Sequence, residues 1–331
     1  MTITYKSVDA CSDVGGPSCD DPLLNAPNGG KCHYVVPNAS DARAIPPAQV
    51  RKIRAGYAGA VTWVDLQVGV LLDALEASGA WNDTVVVLFG DHGWALGEHG
   101  IFCKQANFEL ETRVPLILRV PWLAGGSGGG ATAELAELVD VFPTLLSLAG
   151  LLTADAVPDV HELQGISLVP VLEHVAAQRR AAQQQGGGEG GGAVVEALPV
   201  WRNGSFSQYP RCMNSTAALG AEPFLGSADP CTGVPSNEFT HMGHTLRTVR
   251  WRYTEWPRWA CTEVDVCAGA VDWSAVDGVE LYDHLGDDGS SFDDFENANV
   301  AADPANAQLV RQLSAALRAG PAAAIPAALR P

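Results

Sequence analysis

Basic residues are scarce: 20 Lys and Arg stand against 38 Asp and Glu in 331 residues, for a formal net charge of −18. No basic stripe offsets that excess, so a phosphate backbone or an anionic lipid surface is repelled and no nucleic-acid partner is expected. If the protein binds an anionic substrate, it must concentrate positive charge locally, through a metal or a few lysines and arginines. The eight cysteines, Cys11, Cys19, Cys32, Cys103, Cys212, Cys231, Cys261 and Cys267, contain no C-x-x-C pair, which removes a zinc ribbon. Met1 to Gly16 has no basic n-region followed by an apolar h-region, and no run approaches transmembrane length. Neither a signal peptide nor a membrane span is therefore expected in this chain.

What is present is a globular composition, 47% hydrophobic, enough for one large core or two smaller ones. N-x-S/T sequons occur at Asn38, Asn82, Asn203 and Asn214. With scattered cysteines they lean towards a secretory chain carrying disulfides. Residues 1–47, rich in Gly, Pro, Asp and Cys, read as irregular. Val61, Val64, Val68, Leu71, Leu72 and Leu75 fall at helical spacing in a run ending near Gly79. Thr84 to Phe89 is an unbroken apolar run suited to a central parallel strand covered on both faces, and Val114 to Val120 is a second. Glu134 to Leu151 reads as a helix that Pro143 should end or kink. This rhythm predicts an α/β layer over residues 48–190. A Gln/Gly-rich stretch, Gln183 to Gly192, precedes a second part, 195–331. There, runs such as Thr245 to Trp256 predict an antiparallel sheet and Pro304 to Leu317 a helix.

The segment that carries chemistry is Phe89-Gly-Asp-His-Gly-Trp-Ala-Leu-Gly-Glu-His-Gly-Ile-Phe-Cys-Lys104. It follows a predicted strand, and in open α/β sheets ligands bind beyond the carboxyl ends of strands. An Asp91 carboxylate there can anchor a divalent cation, while Gly90, Gly93, Gly97 and Gly100 permit the tight backbone that close approach requires. On its own, an Asp-His-Gly tripeptide reads equally as a helix cap with solvated histidines.

The longer string resembles the metal-and-lysine loop of type I sulfatases of the iduronate-2-sulfatase kind. Other matches lie in the same order. The helix with Tyr57-Ala-Gly-Ala-Val-Thr-Trp-Val-Asp65 resembles the one preceding that loop. Thr112 to Ile117 and Val141-Phe-Pro-Thr-Leu-Leu-Ser-Leu-Ala-Gly150 are similar to segments following it. Ser207-Gln-Tyr-Pro-Arg211, Met242 to Thr254, and Glu280-Leu-Tyr-Asp283 with Asn299 are similar to parts of the family's C-terminal subdomain.

The resemblance implies an alkaline-phosphatase-like α/β fold: a mixed sheet flanked by helices, with a smaller antiparallel C-terminal subdomain. It implies hydrolysis of a sulfate ester such as a sulfated saccharide, using Ca2+ and a formylglycine. By position, Asp91 and His92 would be metal ligands and Lys104 would neutralise the sulfate oxygens. Calcium prefers oxygen ligands and His92 offers nitrogen, which leaves the metal's identity open. His99 could hydrogen-bond substrate or fill the loop. Cys103 reads as an incidental buried thiol. Arg247, Arg250 and Arg252 could face an anionic sugar or be exposed arginines on an edge strand.

The family's nucleophile is a cysteine in a C-x-P/A-x-R context, and none of the eight cysteines has it. The expectation is therefore a chain lacking the N-terminal part of the fold, inactive alone, with the missing half as its expected partner. A lysosomal or secreted location is expected for the full-length protein. Two alternatives share the fold: a phosphodiesterase or phosphomutase using Thr or Ser, and a non-catalytic sulfatase-like binding protein.

Overall fold

Helical spacing of aliphatic residues from Val61 to Leu75 is realised in α1, Pro47–Ala77, which ends where Gly79 turns the chain at φ 75°. The computed structural model describes residues 47–100, 102–104, 106–124, 129–152, 163–184, 197–212, 231, 234–261, 267, 270–289 and 294–326. The segment 1–46 and the expected boundary near residue 190 lie outside them. The apolar side chains of α1 are exposed, Trp63 by 62% and Leu71 by 70%. By length and composition Val50–Ala77, mean hydropathy 1.4, is a helix that could cross a membrane. The expectation of no membrane span stands apart from this one helix, which passes on length and composition alone. At its start α1 is pinned to a later loop. Arg54 donates to Leu96 O at 3.0 Å and to Glu98 at 2.8 Å, and Tyr57 stacks on Trp94.

The two apolar runs form β1, Val86–Phe89, and β4, Leu116–Arg119; between them come a short hairpin, β2 Ala95–Leu96 and β3 Phe102–Cys103, and the single turn α2, Glu109–Thr112. β1 pairs β4 antiparallel, Val86 opposite Arg119 and Phe89 opposite Leu116. The expectation of a parallel strand covered on both faces is thus not met: Phe89 is 46% and Ile117 60% exposed. An unbroken apolar run reports capacity for burial and carries no information on strand direction.

Beyond β4 lie α3, Pro121–Ala124, α4, Val141–Leu148, and α5, Val169–Gln184. Pro143 does not kink a longer helix. It sits in the first turn of α4, where the missing N–H would have had no partner within the helix. Asp140 is fully buried before that turn. It accepts from Ile166 N–H and from Arg202, and Arg202 also pairs with Glu137 at 2.7 Å. Ile166, Leu168, Val171, Trp201 and Ile325 close a core over Leu116 and Leu118.

The antiparallel sheet expected after residue 195 is a four-stranded meander, β5 Ser205–Arg211, β6 His241–Arg247, β7 Trp251–Trp259 and β8 Val271–Asp283, in that spatial order. Pro257 falls at a register irregularity between β7 and β8, a place where a strand tolerates the lost donor. α6, Ala307–Ala319, lays Leu313 and Leu317 onto Leu246, Tyr253 and Leu281, and α7, Pro321–Ala324, follows it. Asn299 accepts from Leu281 N–H at 3.0 Å and donates to Val279 O, closing the edge of β8. Disulfides join Cys212 to Cys231 and Cys261 to Cys267.

Candidate functional site

The chain leaves β1 at Gly90 and is clamped at once. Gly93 N–H donates to Glu111 O at 2.8 Å. A Cβ at Gly93 would stand 1.7 Å from the Leu110 carbonyl oxygen, so only glycine lets the loop press on α2. Gly97 at φ 111° and His99 at φ 53° then turn the backbone through the β2–β3 hairpin and return Lys104 to His92.

Asp91, His92 and Lys104 meet there. Lys104 Nζ lies 2.5 Å from His92 Nε2, and His92 Nδ1 lies 2.9 Å from Gly93 O. An ammonium only donates, so Nε2 accepts and Nδ1 carries the proton towards the carbonyl. That carbonyl fixes the tautomer a metal-ligating imidazole needs; here the Nε2 lone pair is taken by the Lys104 ammonium, which a ligated cation would displace. Asp91 Oδ2 is 3.3 Å from the same Nε2, on a side chain 84% exposed, while Asp91 Oδ1 accepts from His92 N–H. A carboxylate and an imidazole lone pair aimed at one region fit two positions of a divalent-cation shell. His92 lines a cavity of 290 Å³ with Lys104, Ala106, Glu111 and Tyr209, and Asp91 is not among the lining residues.

Glu111 went unnoticed in the sequence. It is 5% exposed and, among the described residues, neither carboxylate oxygen has a hydrogen-bond partner. Burial pushes its carboxyl up to about 7, helped by nearby Glu296 and opposed by Arg252. A usable signal was the Glu-Leu-Glu of α2, because acids two apart on a helix cannot share a face.

Its neighbour Glu109 faces the other way. Arg252, Arg247, Glu109, Glu296, His284 and Asp287 form a buried ionic cluster joining α2 to the C-terminal sheet. Burial raises Glu109, but Arg252 and Arg247 hold it down to about 2. The donor atoms of Glu109, His284 and Glu296 lie within 4.8 Å of one another. Arg252 binds both glutamates, so guanidinium charge already balances what a cation would bind. The reading of Arg247, Arg250 and Arg252 as edge-strand arginines is corrected. β7 is an inner strand, Arg252 is 2% exposed, and Arg250 alone faces solvent, forked on Asp283.

His99 is not among the cavity-lining side chains. Its ring stacks on Phe108 at 4.2 Å between centroids, and among the described residues its Nε2 has no partner. Asn82 and Asn203 are exposed; Asn38, Asn214 and the Cys103 side chain lie outside the described residues.

With this geometry in hand, likeness to known proteins is informative. Residues 10–151 match the Sulfatase family. Iduronate 2-sulfatase of Mus musculus is 30% identical over 72% of this chain and 45% of its own length. The chain thus spans about half the length of that relative. A Bacteroides thetaiotaomicron structure classed provisionally as a sulfatase superposes with TM-score 0.55 and 23% identity, covering 85% of this chain and 45% of its own. The phosphonate monoester hydrolase of Agrobacterium radiobacter gives TM-score 0.52 and 24% identity over 82% of this chain and 42% of its own. The structural matches show the fold, which is alkaline-phosphatase-like. The sequence matches, which span the Asp-His-Gly loop, lead to one conclusion: the chain belongs to the sulfatase family.

Proposed function

We propose that this chain contributes the charge-neutralising wall of a sulfuric ester hydrolase acting on sulfated saccharides. The observation that carries the reading is the meeting of Lys104 and His92 in one cavity, with Asp91 3.3 Å from His92 on the loop after β1. Sulfate ester cleavage builds negative charge on the non-bridging and leaving oxygens, and a fixed ammonium aimed at them is worth most in the transition state. Lys104 is assigned that role. Asp91 and His92 would hold a divalent cation, calcium in this proposal, which when bound supplies Lewis-acid polarisation of the sulfate. This local positive charge answers the repulsion that a net charge of −18 imposes on an anionic substrate. No cysteine stands in a C-x-P/A-x-R context, so no attacking group is assigned to these residues. The saccharide preference is taken from the relative named iduronate 2-sulfatase. Two disulfides and the exposed sequons at Asn82 and Asn203 support a lysosomal or secreted location.

The test uses calcium titration, and turnover of a chromogenic aryl sulfate by the enzyme in which these residues are joined to an attacking group. Asp91→Ala is expected to abolish both metal binding and hydrolysis. Near-normal turnover by Asp91→Ala sinks the assignment. A second reading, phosphonate monoester hydrolysis on the same fold, is favoured by the Agrobacterium radiobacter match and predicts that an aryl phosphonate outruns the aryl sulfate.

A further inference from the structure

The cavity beside Lys104 has a wall that charge neutralisation does not use. Glu111 lines it with a carboxyl that is dehydrated and, among the described residues, unbonded at both oxygens. Buried polar groups are almost always satisfied, so an exception that faces a cavity marks a place where a ligand completes the bonding. The neighbouring cluster does not explain it: Arg252 is committed to Glu109, Glu296 and Thr112, and brings no hydrogen bond to Glu111.

A further part of the lining comes from the C-terminal sheet. Tyr209 of β5 sits opposite Gly243 of β6. The missing side chain at Gly243 leaves room for Trp256, whose ring would be 2.6 Å from a Cβ there. The Arg211 guanidinium lies over both rings, 5.5 Å from Tyr209 and 4.7 Å from Trp256. The cavity therefore sets one ammonium, one carboxyl and one aromatic wall around a space of 290 Å³. An inorganic anion would use the ammonium alone. A sugar ring offers hydroxyls to the carboxyl and C–H faces to the aromatic wall.

We propose that Glu111 is a specificity-determining residue that hydrogen-bonds the hydroxyls of a saccharide whose sulfate is held at Lys104, with Tyr209 packing against the ring. This rests on the sulfatase reading above and adds the residue that separates sugar sulfates from simpler esters. A hydroxyl pair satisfies both oxygens of a carboxylate, and a protonated carboxyl can donate one bond and accept another. With a value near 7, either form is accessible to the ligand.

The experiment is calorimetric binding, with calcium present, of two sulfate monoesters: a methyl pyranoside sulfate, rich in hydroxyls, and phenyl sulfate, which has none. Wild type is expected to bind the sugar sulfate at least 10-fold tighter than phenyl sulfate. Glu111→Leu should erase most of that preference while leaving phenyl sulfate within 2-fold, and Glu111→Gln, which still accepts and donates, should restore at least a third of the sugar affinity. Lys104→Ala should weaken both ligands. On unaltered protein, deoxy analogues of the sugar sulfate test the same point, and at least one ring hydroxyl should cost 10-fold when removed. The proposal fails if Glu111→Leu weakens both ligands equally or neither, or if every deoxy analogue binds like the parent. Should phenyl sulfate bind through Lys104 while Glu111 shows no selectivity, only this inference falls. If wild type binds neither ester, the sulfatase reading falls with it.

Discussion

The two ends of the described structure treat burial in opposite ways. In the C-terminal sheet Leu281 is 0% and Tyr253 1% exposed, and every arginine of the buried cluster has a carboxylate. Around the site, among the described residues, α1 presents Trp63 and Leu71 to solvent, β1 and β4 pair only with each other, and Glu111 has no partner. Stability is thus concentrated in the region whose polar groups are mutually satisfied, and chemistry in the region whose groups still need something to bind. Natural active sites show the same division, because a group already satisfied within the fold has little left to offer a ligand.

The largest effect should come from attacking the satisfied region. Arg252→Ala removes the guanidinium shared by two buried carboxylates and leaves Glu109 with Arg247 and Glu296 with His284. Breaking a buried pair from one side costs about 3–5 kcal/mol, to be read from urea unfolding followed by tryptophan fluorescence. Acid should do part of the same work. Glu109 is held to about 2, below its ordinary 4.5, so its contribution is complete above 4.5 and lost as pH falls towards 2. A variant as stable as the parent would show that the cluster is decoration on an apolar core.

Lys104→Ala probes the other side of the comparison. In the enzyme that joins these residues to an attacking group, removing the ammonium should cost about 2–4 kcal/mol of transition-state stabilisation in kcat/KM on an aryl sulfate. Because Lys104 serves the open cavity and no buried pair, the urea midpoint should stay where it is. A large drop in stability with unchanged kcat/KM would invert the division of labour drawn here.

Glu109 and Glu111 bring the contrast onto one helical turn. Their pKa values move in opposite directions, to about 2 and about 7. For Glu111 the folded value lies above the unfolded one, so its protonated form costs nothing extra below 4.5 and stability is lost as pH rises through 7. On the order of 2–3 kcal/mol is at stake. Glu111→Gln cannot ionise, so its melting temperature relative to wild type should rise between pH 5 and pH 8. A constant difference across that range would mean that the carboxyl titrates normally.

How far the sequence alone reached follows the same line. The Asp-His-Gly loop, the Lys104 return, the end of α1 and the antiparallel C-terminal sheet were legible, because each rests on local spacing or on a motif shared with the family. The direction of β1 was not, since an apolar run reads the same whichever neighbour it pairs with. Nor was the burial of Arg252: a strand of alternating polar residues looks solvent-facing until a charged helix such as α2, more than a hundred residues earlier, is packed against it. Glu111 was missed because its meaning lies in an absent partner, and the Glu-Leu-Glu spacing says only that it and Glu109 face different ways.

The smallest effect is expected at Arg250, and its smallness is the point. Arg247, Arg250 and Arg252 sit within six residues, and the sequence offers no reason to rank them. The structure does: Arg252 is enclosed by two buried glutamates, whereas Arg250 reaches Asp283 across the surface, with 46% and 33% of the two side chains exposed. An exposed pair gains little over its separate hydration, even when the fork geometry is good. Arg250→Ala should therefore leave the urea midpoint within error of wild type at moderate salt. A loss approaching that of Arg252→Ala would mean that the surface pair holds the β6–β7 turn, and that burial is the wrong variable for ranking these three arginines.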